Sequence, residues 1–508
     1  MIDDSTFIHT LFQGKQIPLF ILPDIGRFFP LDGQDINILS ALFGTSASVF
    51  YAFNACCVVI VVLCLFYAIS TLLNQIDSQA SKHKCYLLTY VLLVILLLSP
   101  SFITSFLRLF VPERMEFVFF SLFLGSYAFV LKHPFSYKAY IAIICGVISA
   151  NLALYYKETG FAMLMTFGIM HLLFGFKISS TKTKIFDTLL VLSSIIWVIV
   201  YISVVVLEKN STTSYGDTPY NQLIVVCKIT FNYILNEPFL FIALPLALIY
   251  RISLIHKSKF HPLFDSSLLS ALVLMGEYLV LRIGDVHYVL IAYVFGLIAL
   301  GSSILKFAYS RYLKTVIIVC GAVFLLNSLP FALWVFMHYK VVPNSFQESL
   351  EFLSDYIKKN PHTNIYLEGV NRASGVEVYH SFGSWLGFYG ASGFDLRSDL
   401  GIDNTYLATP DSQSPYSVFR SNNIIHKHSG DLVVLSPYST FAFDKDFLAT
   451  LDSKYELLFT STFGYNFPKL GIKSLLKQML SSQMDKNELM LSHNYSGLPL
   501  KFYVYRVR

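Results

Sequence analysis

The sequence predicts a polytopic α-helical membrane protein with a C-terminal extracytoplasmic α/β domain, and three observations lead to that prediction. Of the 508 residues, 55% are hydrophobic and 14% are charged, and the mean hydropathy is +0.58. Apolar runs near the length that crosses a bilayer recur through the first two thirds of the chain. The remaining part is more polar and mixes helical with strand patterns. This composition excludes an ordinary soluble enzyme.

Ten apolar runs are predicted to be transmembrane helices. They are residues 49–73, 86–104, 115–131, 137–155, 160–176, 185–207, 238–255, 268–281, 286–305 and 315–336. Several of them lie near the lower length limit for a span. Residues 223–235 are apolar but too short to cross, so we interpret them as an interfacial or re-entrant segment.

Lysine and arginine are distributed unequally between the loops, with thirteen in one set of alternate loops and six in the other. The richer set is predicted to be cytoplasmic. This orientation makes residues 1–48 the first extracytoplasmic loop, residues 49–336 the transmembrane domain and residues 337–508 an extracytoplasmic domain. The net charge of +5 is dispersed between apolar runs and forms no basic face, so no nucleic-acid partner is expected.

The C-terminal domain is predicted to be α/β because one helical and four strand patterns occur in it. The helix covers residues 345–359, and the strands cover 364–369, 431–436, 455–459 and 500–507. Residues 390–430 are rich in Gly, Ser, Asn and Asp and are predicted to form a long loop. Aromatic side chains such as Phe382 and Trp385 suit either core packing or stacking on a sugar.

No resident cofactor is expected. The seven cysteines lie in or beside apolar runs and show neither a disulfide framework nor the spacing of zinc ligands. The chain contains no Gly-rich nucleotide-binding loop, which disfavours a nucleotide-sugar donor. A divalent metal is compatible with the sequence but is not indicated by it.

The predicted external ends of the helices carry the residues that suggest chemistry. They are Asp3 and Asp4; Asp24, Arg27, Asp32 and Asp35; Arg108, Glu113 and Arg114; Lys157 and Glu158; and Arg282, Asp285 and His287. Charged side chains at this depth are costly unless they are paired or used. Arginine and lysine bind phosphate, and a carboxylate acts as a general base. Together they suit a sugar transferase with a lipid-phosphate donor; interfacial snorkelling and a turn with Arg27 paired to Asp24 are the alternatives.

In residues 1–336 these features resemble the GT-C superfamily of integral-membrane glycosyltransferases, and within it most of all the bacterial enzymes that modify O-antigen and related surface polysaccharides. The resemblance rests on four motifs. They are the acidic pair Asp3 and Asp4, the segment GRFFPL (residues 26–31) followed by Asp35 and Asn37, the PER triplet at residues 112–114, and the KE pair at residues 157–158. No single motif is specific, but their order and shared sidedness match the superfamily.

The resemblance implies transfer of a hexose or pentose from a polyprenyl-phosphate donor to an acceptor glycan or lipid-linked saccharide, with membrane lipid as a partner. It assigns the general base to Asp3 or Asp4, and Asp24, Asp32 and Asp35 remain alternatives for that role. The residues implied to hold donor phosphate are Arg27, Arg108, Arg114, Lys157, Arg282 and His287. Glu113 and Glu158 are implied to orient those cations or the acceptor.

The resemblance also implies a place in lipopolysaccharide biosynthesis, in the bacterial inner membrane with the C-terminal domain in the periplasm. Superfamily members carry a transmembrane helix before the acidic pair, so an eleventh helix is expected in the complete protein. Two other classes stay open. A transporter or flippase for a lipid-linked or polar substrate would show broken helices and internal pseudo-symmetry, whereas a scaffold would tolerate loss of the acidic pair.

Overall fold

A computed structural model describes residues 7, 10–11, 14–77, 81–209, 222–254, 260–307, 310–368, 382–383, 385–398, 420–422, 427–436, 453–462, 471–472 and 501–508. The chain divides into two compact units, one of residues 17–332 and the other of residues 1–16 with residues 333–508. The predicted domain boundaries after residues 48 and 336 stay predictions.

The unit of residues 17–332 begins with a β-hairpin and is otherwise helical. The hairpin strands are β1 (Phe20–Leu22) and β2 (Arg27–Phe29). The helices are α1 (Gln34–Phe43), α2 (Ala47–Ile76), α3 (Lys82–Leu97), α4 (Pro100–Leu107), α5 (Pro112–Lys132), α6 (Lys138–Tyr156), α7 (Gly160–Gly175), α8 (Thr181–Tyr201), α9 (Gln222–Asn236), α10 (Leu244–Ser253), α11 (Pro262–Val280), α12 (Tyr293–Phe307) and α13 (Arg311–Val323), followed by α14 (Leu329–Lys359). Short 3-10 segments lie at Pro23–Ile25 and Val286–Ala292, and π-helical segments lie at Ile202–Val206, Phe239–Ala243 and Phe324–Ser328.

Within the described residues, seven helices are long and apolar enough to cross a membrane, or up to nine if each of two bent helix pairs counts as one span. This confirms a helical membrane protein with several spans. In the described part of the chain, all ten predicted runs overlap helical segments, although the run of residues 86–104 is interrupted at residues 98–99 and α7 has only 16 residues. The number of spans stays a prediction. The predicted interfacial or re-entrant segment lies in α9, which is bent by 110° from the helical segment that follows it.

Both bent helix pairs break in front of a proline. The bend between α3 and α4 is 60° and precedes Pro100, and the bend after α9 precedes Pro238. A proline disfavours the helical conformation of the residue before it, which accounts for both breaks. The buried Glu237 joins them, because its carboxylate accepts hydrogen bonds from the backbone N–H of Ser101 (2.8 Å) and from Tyr293 Oη (2.6 Å).

Close helix packing depends on small residues. A Cβ atom on Gly146 of α6 would clash with the ring of Phe186 in α8, and one on Gly160 of α7 would lie 2.8 Å from both Glu116 Oε1 and the Phe120 ring in α5. Small residues let transmembrane helices approach in this way. The glycines therefore determine how closely the helices that carry the polar residues can pack.

A buried polar cluster connects three helices inside the bundle. His171 Nδ1 in α7 lies 2.7 Å from Asp187 Oδ2 in α8, and Tyr127 Oη in α5 lies 3.0 Å from the same ring nitrogen. Tyr127 also donates to Asp187 Oδ1 at 2.7 Å. The three side chains are at most 2% exposed. Their mutual hydrogen bonds satisfy polar atoms that are buried in the bundle.

The first loop has more regular structure than the predicted turn. Strands β1 and β2 are antiparallel, with Phe20 opposite Phe29 and Leu22 opposite Arg27. Gly26 closes the connection with a φ of 72°, a left-handed conformation that glycine adopts without strain. Helix α1 then follows within the same predicted loop.

The C-terminal unit contains a six-stranded sheet in the order β5-β4-β3-β6-β8-β7. Its strands are β3 (Asn364–Glu368), β4 (Asp395–Ser398), β5 (Arg420–Asn422), β6 (Leu432–Leu435), β7 (Tyr455–Thr460) and β8 (Tyr503–Val507). The first four are mutually parallel, and β8 is antiparallel to both β6 and β7. Buried residues of α14, including Leu353 and Ile357, pack with Ile365 and Val434 of the sheet.

The α/β prediction for this unit is confirmed in its main elements. All four predicted strands are present with shifted ends, and the predicted helix at residues 345–359 is the last part of the longer α14. The predicted loop of residues 390–430 is wrong in part, because it contains β4 and β5. Both strands are short, so neither shows enough alternation of polar and apolar residues to be recognised. The side chain of Phe382 lies in the core, as the packing alternative expects.

Candidate functional site

The structure places most of the predicted site residues at one end of the unit of residues 17–332. Asp24 is exposed in the 3-10 turn between β1 and β2, Arg27 begins β2, and Asp35 is buried in the first turn of α1. Arg108 follows α4, Glu113 and Arg114 are buried in the first turn of α5, Lys157 and Glu158 follow α6, Arg282 follows α11, and His287 is buried in the 3-10 segment after it. Asp3 and Asp4 lie outside the described residues.

The first loop is attached to the helix ends by hydrogen bonds. Tyr201 Oη donates to the carbonyl of Gly26 at 2.9 Å, and the N–H of Leu31 donates to the carbonyl of Tyr155 at 3.1 Å. Phe28 is 3% exposed and packs in the main core of the bundle. These contacts bring the charged residues of the loop onto the ends of α6 and α8.

Arg27 forms an ion pair with a residue far away in the sequence. Its Nε donates to Glu158 Oε1, and the two side chains are 11% and 16% exposed. The guanidinium also lies over the ring of Phe29, 4.8 Å from the centroid. The hairpin is therefore joined electrostatically to the segment between α6 and α7.

Arg114 has several polar neighbours, but one of its three nitrogen atoms makes no hydrogen bond to any described residue. One of its terminal nitrogens donates to Asp35 Oδ2, and the other lies 3.5 Å from Asn54 Oδ1 in α2. Asn54 donates in turn to the carbonyl of Phe106 in α4. Within the described part of the chain, Arg114 Nε has no hydrogen-bond partner, although the residue is only 1% exposed.

Lys157 joins the end of α6 to the beginning of α5. Its Nζ lies 3.1 Å from Glu113 Oε1, and the two side chains are 4% and 1% exposed. The ammonium group also lies over the rings of Tyr288 and Phe29, at 4.7 Å and 5.6 Å from their centroids. Desolvated contacts of this kind stabilise a buried cation.

These contacts define an ion-pair cluster of three pairs: Arg27 with Glu158, Arg114 with Asp35, and Lys157 with Glu113. Moving a charged group out of water costs several kcal/mol even after the protein relaxes, and an apolar core of the same volume is often equally stable. A cluster of charges at the end of a membrane helix bundle is therefore weak support for stability. It is a stronger indication of a binding or catalytic site.

Two further predicted cations, His287 and Arg108, lie near this cluster. His287 is buried and stacks on Tyr288 at 4.3 Å between ring centroids. Arg108 and Glu113 both lie within electrostatic range of it. Arg282 has a φ of 58°, in the left-handed region that a side chain makes unfavourable. Such strain is often kept where a side chain has a function.

Asp32 is, with Asp35, one of two buried acids of the first loop that the sequence left as alternatives for the base. It is 5% exposed and lies within electrostatic range of Lys157, Glu113 and Asp35. Burial raises the pKa of Asp32 well above the ordinary value of 3.8; Lys157 lowers that pKa and the two carboxylates raise it. A raised pKa brings an aspartate closer to the neutral range in which a general base works.

Sequence reasoning missed Glu116 and Asn54. Glu116 is fully buried, and neither of its carboxylate oxygens has a hydrogen-bond partner among the described residues. Glu277 Oε2 also has none there. A spacing of three residues places Glu116 on the same helix face as Glu113, and this spacing is the signal that was available.

The described residues include no group of three or more His, Cys, Asp or Glu side chains placed to hold a metal ion. The acidic side chains of the site belong to several elements. The cations of the ion-pair cluster are the groups that can balance an anionic ligand.

No family model matches the chain, and no curated protein matches it. The chain is similar to two crystal structures of ArnT from Cupriavidus metallidurans, one bound to undecaprenyl phosphate and one in the apo state. The first is 10% identical, covers 89% of this chain and 90% of that chain, and has a TM-score of 0.39. The second is also 10% identical, and the match covers 90% of this chain and 94% of that chain with a TM-score of 0.34. Both TM-scores are low, so the proposed function rests on the residues of the site.

Proposed function

We propose that this protein is a membrane glycosyltransferase of the GT-C type that moves a sugar from a polyprenyl-phosphate donor to a glycan or lipid-linked saccharide. The observation that carries the proposal is Asp32, a buried carboxyl group with a raised pKa that lies within electrostatic range of Lys157 and Arg114, two cations of the ion-pair cluster. A base and phosphate-binding cations in one buried site are the two parts that such a transfer needs.

In this proposal Asp32 accepts the proton of an acceptor hydroxyl while the hydroxyl oxygen forms a bond to the anomeric carbon of the sugar. The bond from that carbon to the phosphate oxygen breaks, and its electrons leave with the lipid phosphate. Attack opposite the leaving group inverts the anomeric configuration. Arg114 and Lys157 balance the charge of the departing phosphate, and Arg114 Nε is the donor available to it.

The resemblance to GT-C enzymes assigns the base to Asp3 or Asp4 instead. Asp32 is preferred here because it is buried, burial raises its pKa, and it lies within electrostatic range of Lys157 and Arg114. The undecaprenyl phosphate type of lipid is proposed as the donor carrier, in the inner membrane with the C-terminal unit in the periplasm. No divalent metal is assigned a role in the proposed transfer.

The test is sugar transfer by membranes that contain the full-length protein, measured with radiolabelled polyprenyl-phosphate sugars and by the glycan profile of the host surface. Asp32→Asn should lower transfer by about a hundredfold or more at unchanged expression, because the amide cannot accept the proton. Asp355→Asn changes an exposed aspartate of α14 and should have no effect. Full activity of Asp32→Asn together with loss of activity in an Asp3→Asn, Asp4→Asn double variant would move the base to the N-terminal pair.

A transporter for a lipid-linked substrate is the second candidate, and the two bent helix pairs favour it. Transporters use helices that break near their substrate site, and α4 begins at one such break. A transporter moves the labelled lipid between vesicle leaflets without cleaving its sugar–phosphate bond. Movement of intact donor with no transfer to any acceptor would therefore replace the transferase proposal.

A further inference from the structure

Glu116 is a buried acid that the proposed mechanism does not use. It lies in α5 one turn after Glu113, is 0% exposed, and has no hydrogen-bond partner for either carboxylate oxygen in the described part of the chain. Such a group is costly in the absence of a ligand, because desolvation is not offset by new hydrogen bonds. A ligand that supplies donors would remove that cost.

Two other glutamates within electrostatic range of Glu116 also have a carboxylate oxygen without a hydrogen-bond partner among the described residues. These oxygens are the Oε2 atoms of Glu158 and Glu277. These acceptors come from α5, from the segment after α6 and from α11, so three separate elements direct unpaired acceptors to one end of the bundle.

The cations near these carboxylates already form ion pairs. Arg27 pairs with Glu158 through the other carboxylate oxygen, and Lys157 pairs with Glu113. A single metal ion also fits poorly, because no three of the described acidic side chains are placed to hold one. The unpaired acceptors therefore suit a ligand that carries several donors spread over several ångströms.

We propose that Glu116, Glu158 and Glu277 form a carboxylate subsite that binds the hydroxyl groups of the sugar ring of the donor. A sugar carries hydroxyls on successive carbons, and each hydroxyl both donates and accepts, so it satisfies a carboxyl group in either protonation state. The ion-pair cluster then binds the phosphate, and the carboxylate subsite distinguishes a sugar-bearing lipid from the bare lipid phosphate. This inference rests on the proposed function.

The test measures the affinity of the purified full-length protein, in lipid nanodiscs, for two kinds of lipid. One probe is undecaprenyl phosphate, and the others are undecaprenyl-phosphate–glucose, –galactose, –mannose and –arabinose. The wild type should bind at least one sugar-bearing lipid more tightly than the bare phosphate. Glu116→Gln should lower the affinity for that preferred lipid about tenfold, the effect of one hydrogen bond to a charged group, and leave the affinity for bare undecaprenyl phosphate unchanged.

Two controls keep the result interpretable. Glu208→Gln alters an exposed glutamate after α8 and should change neither affinity. Glu277→Gln removes a second acceptor of the subsite and should repeat the selective loss, so the test does not depend on Glu116→Gln folding. Thermal unfolding of each variant shows whether it is folded.

Other results would overturn the inference. If both variants bind the preferred lipid as the wild type does, the carboxylate subsite is wrong, while sugar-lipid binding by the wild type leaves the proposed function intact. If the wild type binds neither the bare lipid phosphate nor any sugar-bearing lipid, the proposed function itself is wrong. If binding requires an undecaprenyl-phosphate–glucosamine probe and is abolished by its N-acetylation, the subsite binds an ammonium group and the assignment to hydroxyls is wrong.

Discussion

Lys157 Nζ lies 3.1 Å from Glu113 Oε1, and this buried pair joins the end of α6 to the first turn of α5. Both residues act on Asp32, because the ammonium lowers the pKa of that carboxyl group and the carboxylate raises it. The two members of the pair therefore have opposite effects on the pKa of the acid on which the proposed reaction depends. Lys157 and Glu113 can be substituted one at a time.

The first prediction concerns the pH dependence of transfer. A base works only when deprotonated, so activity should rise with pH through the raised pKa of Asp32, above the ordinary aspartate range. Lys157→Gln should move this rise to higher pH and Glu113→Gln to lower pH, each by about one pH unit. The measurement is the pH profile of transfer for the three proteins. Identical profiles would remove Asp32 from the base role.

The second prediction separates the fold from the function of Arg282. Arg282→Gly should raise the free energy of unfolding by up to about 1 kcal/mol, because glycine adopts a φ of 58° without strain, whereas Arg282→Ala keeps the strain. Both variants should lower transfer about tenfold if the guanidinium holds phosphate. Thermal unfolding and transfer are measured on the same samples. A glycine variant that is more stable and fully active would leave Arg282 without a role in the site.

The third prediction tests the close packing of α7 on α5. Gly160→Ala should lower the free energy of unfolding by about 1–3 kcal/mol, because the new methyl group would lie 2.8 Å from Glu116 Oε1 and from the Phe120 ring. Gly276→Ala is the matched control in α11, where a Cβ atom meets nothing within 4 Å. It should be neutral or slightly stabilising. Equal unfolding temperatures for the two variants would contradict the packing.

The fourth prediction concerns Glu237, which connects the two helix breaks. Glu237→Leu should lower the free energy of unfolding by about 1–3 kcal/mol for each donor left unsatisfied, and these donors are the N–H of Ser101 and Tyr293 Oη. Glu237→Gln keeps one acceptor oxygen and should cost less. Thermal unfolding in detergent gives the order of the three proteins. A leucine variant as stable as the glutamine variant would show that the connection is not needed.

The fifth prediction concerns divalent metals. Chelation with EDTA should leave the transfer rate unchanged, because Arg114 and Lys157 balance the charge of the phosphate in the proposed reaction. The rate is measured before and after chelation and after addition of magnesium. A loss that magnesium restores would require a metal in the reaction.

The sequence alone was sufficient for the class of protein and for most of its elements. The ten apolar runs are helical, and the strands at residues 364–368 and 432–435 lie where alternation and β-branched residues predicted them. These features depend on the length and period of hydrophobic residues, which are local properties of the chain. Residues 395–398 escaped prediction because four residues in a Gly- and Ser-rich stretch show no period.

Only the tertiary structure determines which residues of the site contact one another. Arg27 meets Glu158 across 131 positions of sequence and Arg114 meets Asp35 across 79, and no local pattern indicates such partners. The same holds for Glu116, whose apolar run predicts a helix but not that its carboxylate lacks a hydrogen-bond partner in the described part of the chain. Composition and period determine which residues enter the membrane or lie at its edge. Which of them face one another depends on how each helix is rotated and how closely glycines let it approach, and these are properties of the packed bundle.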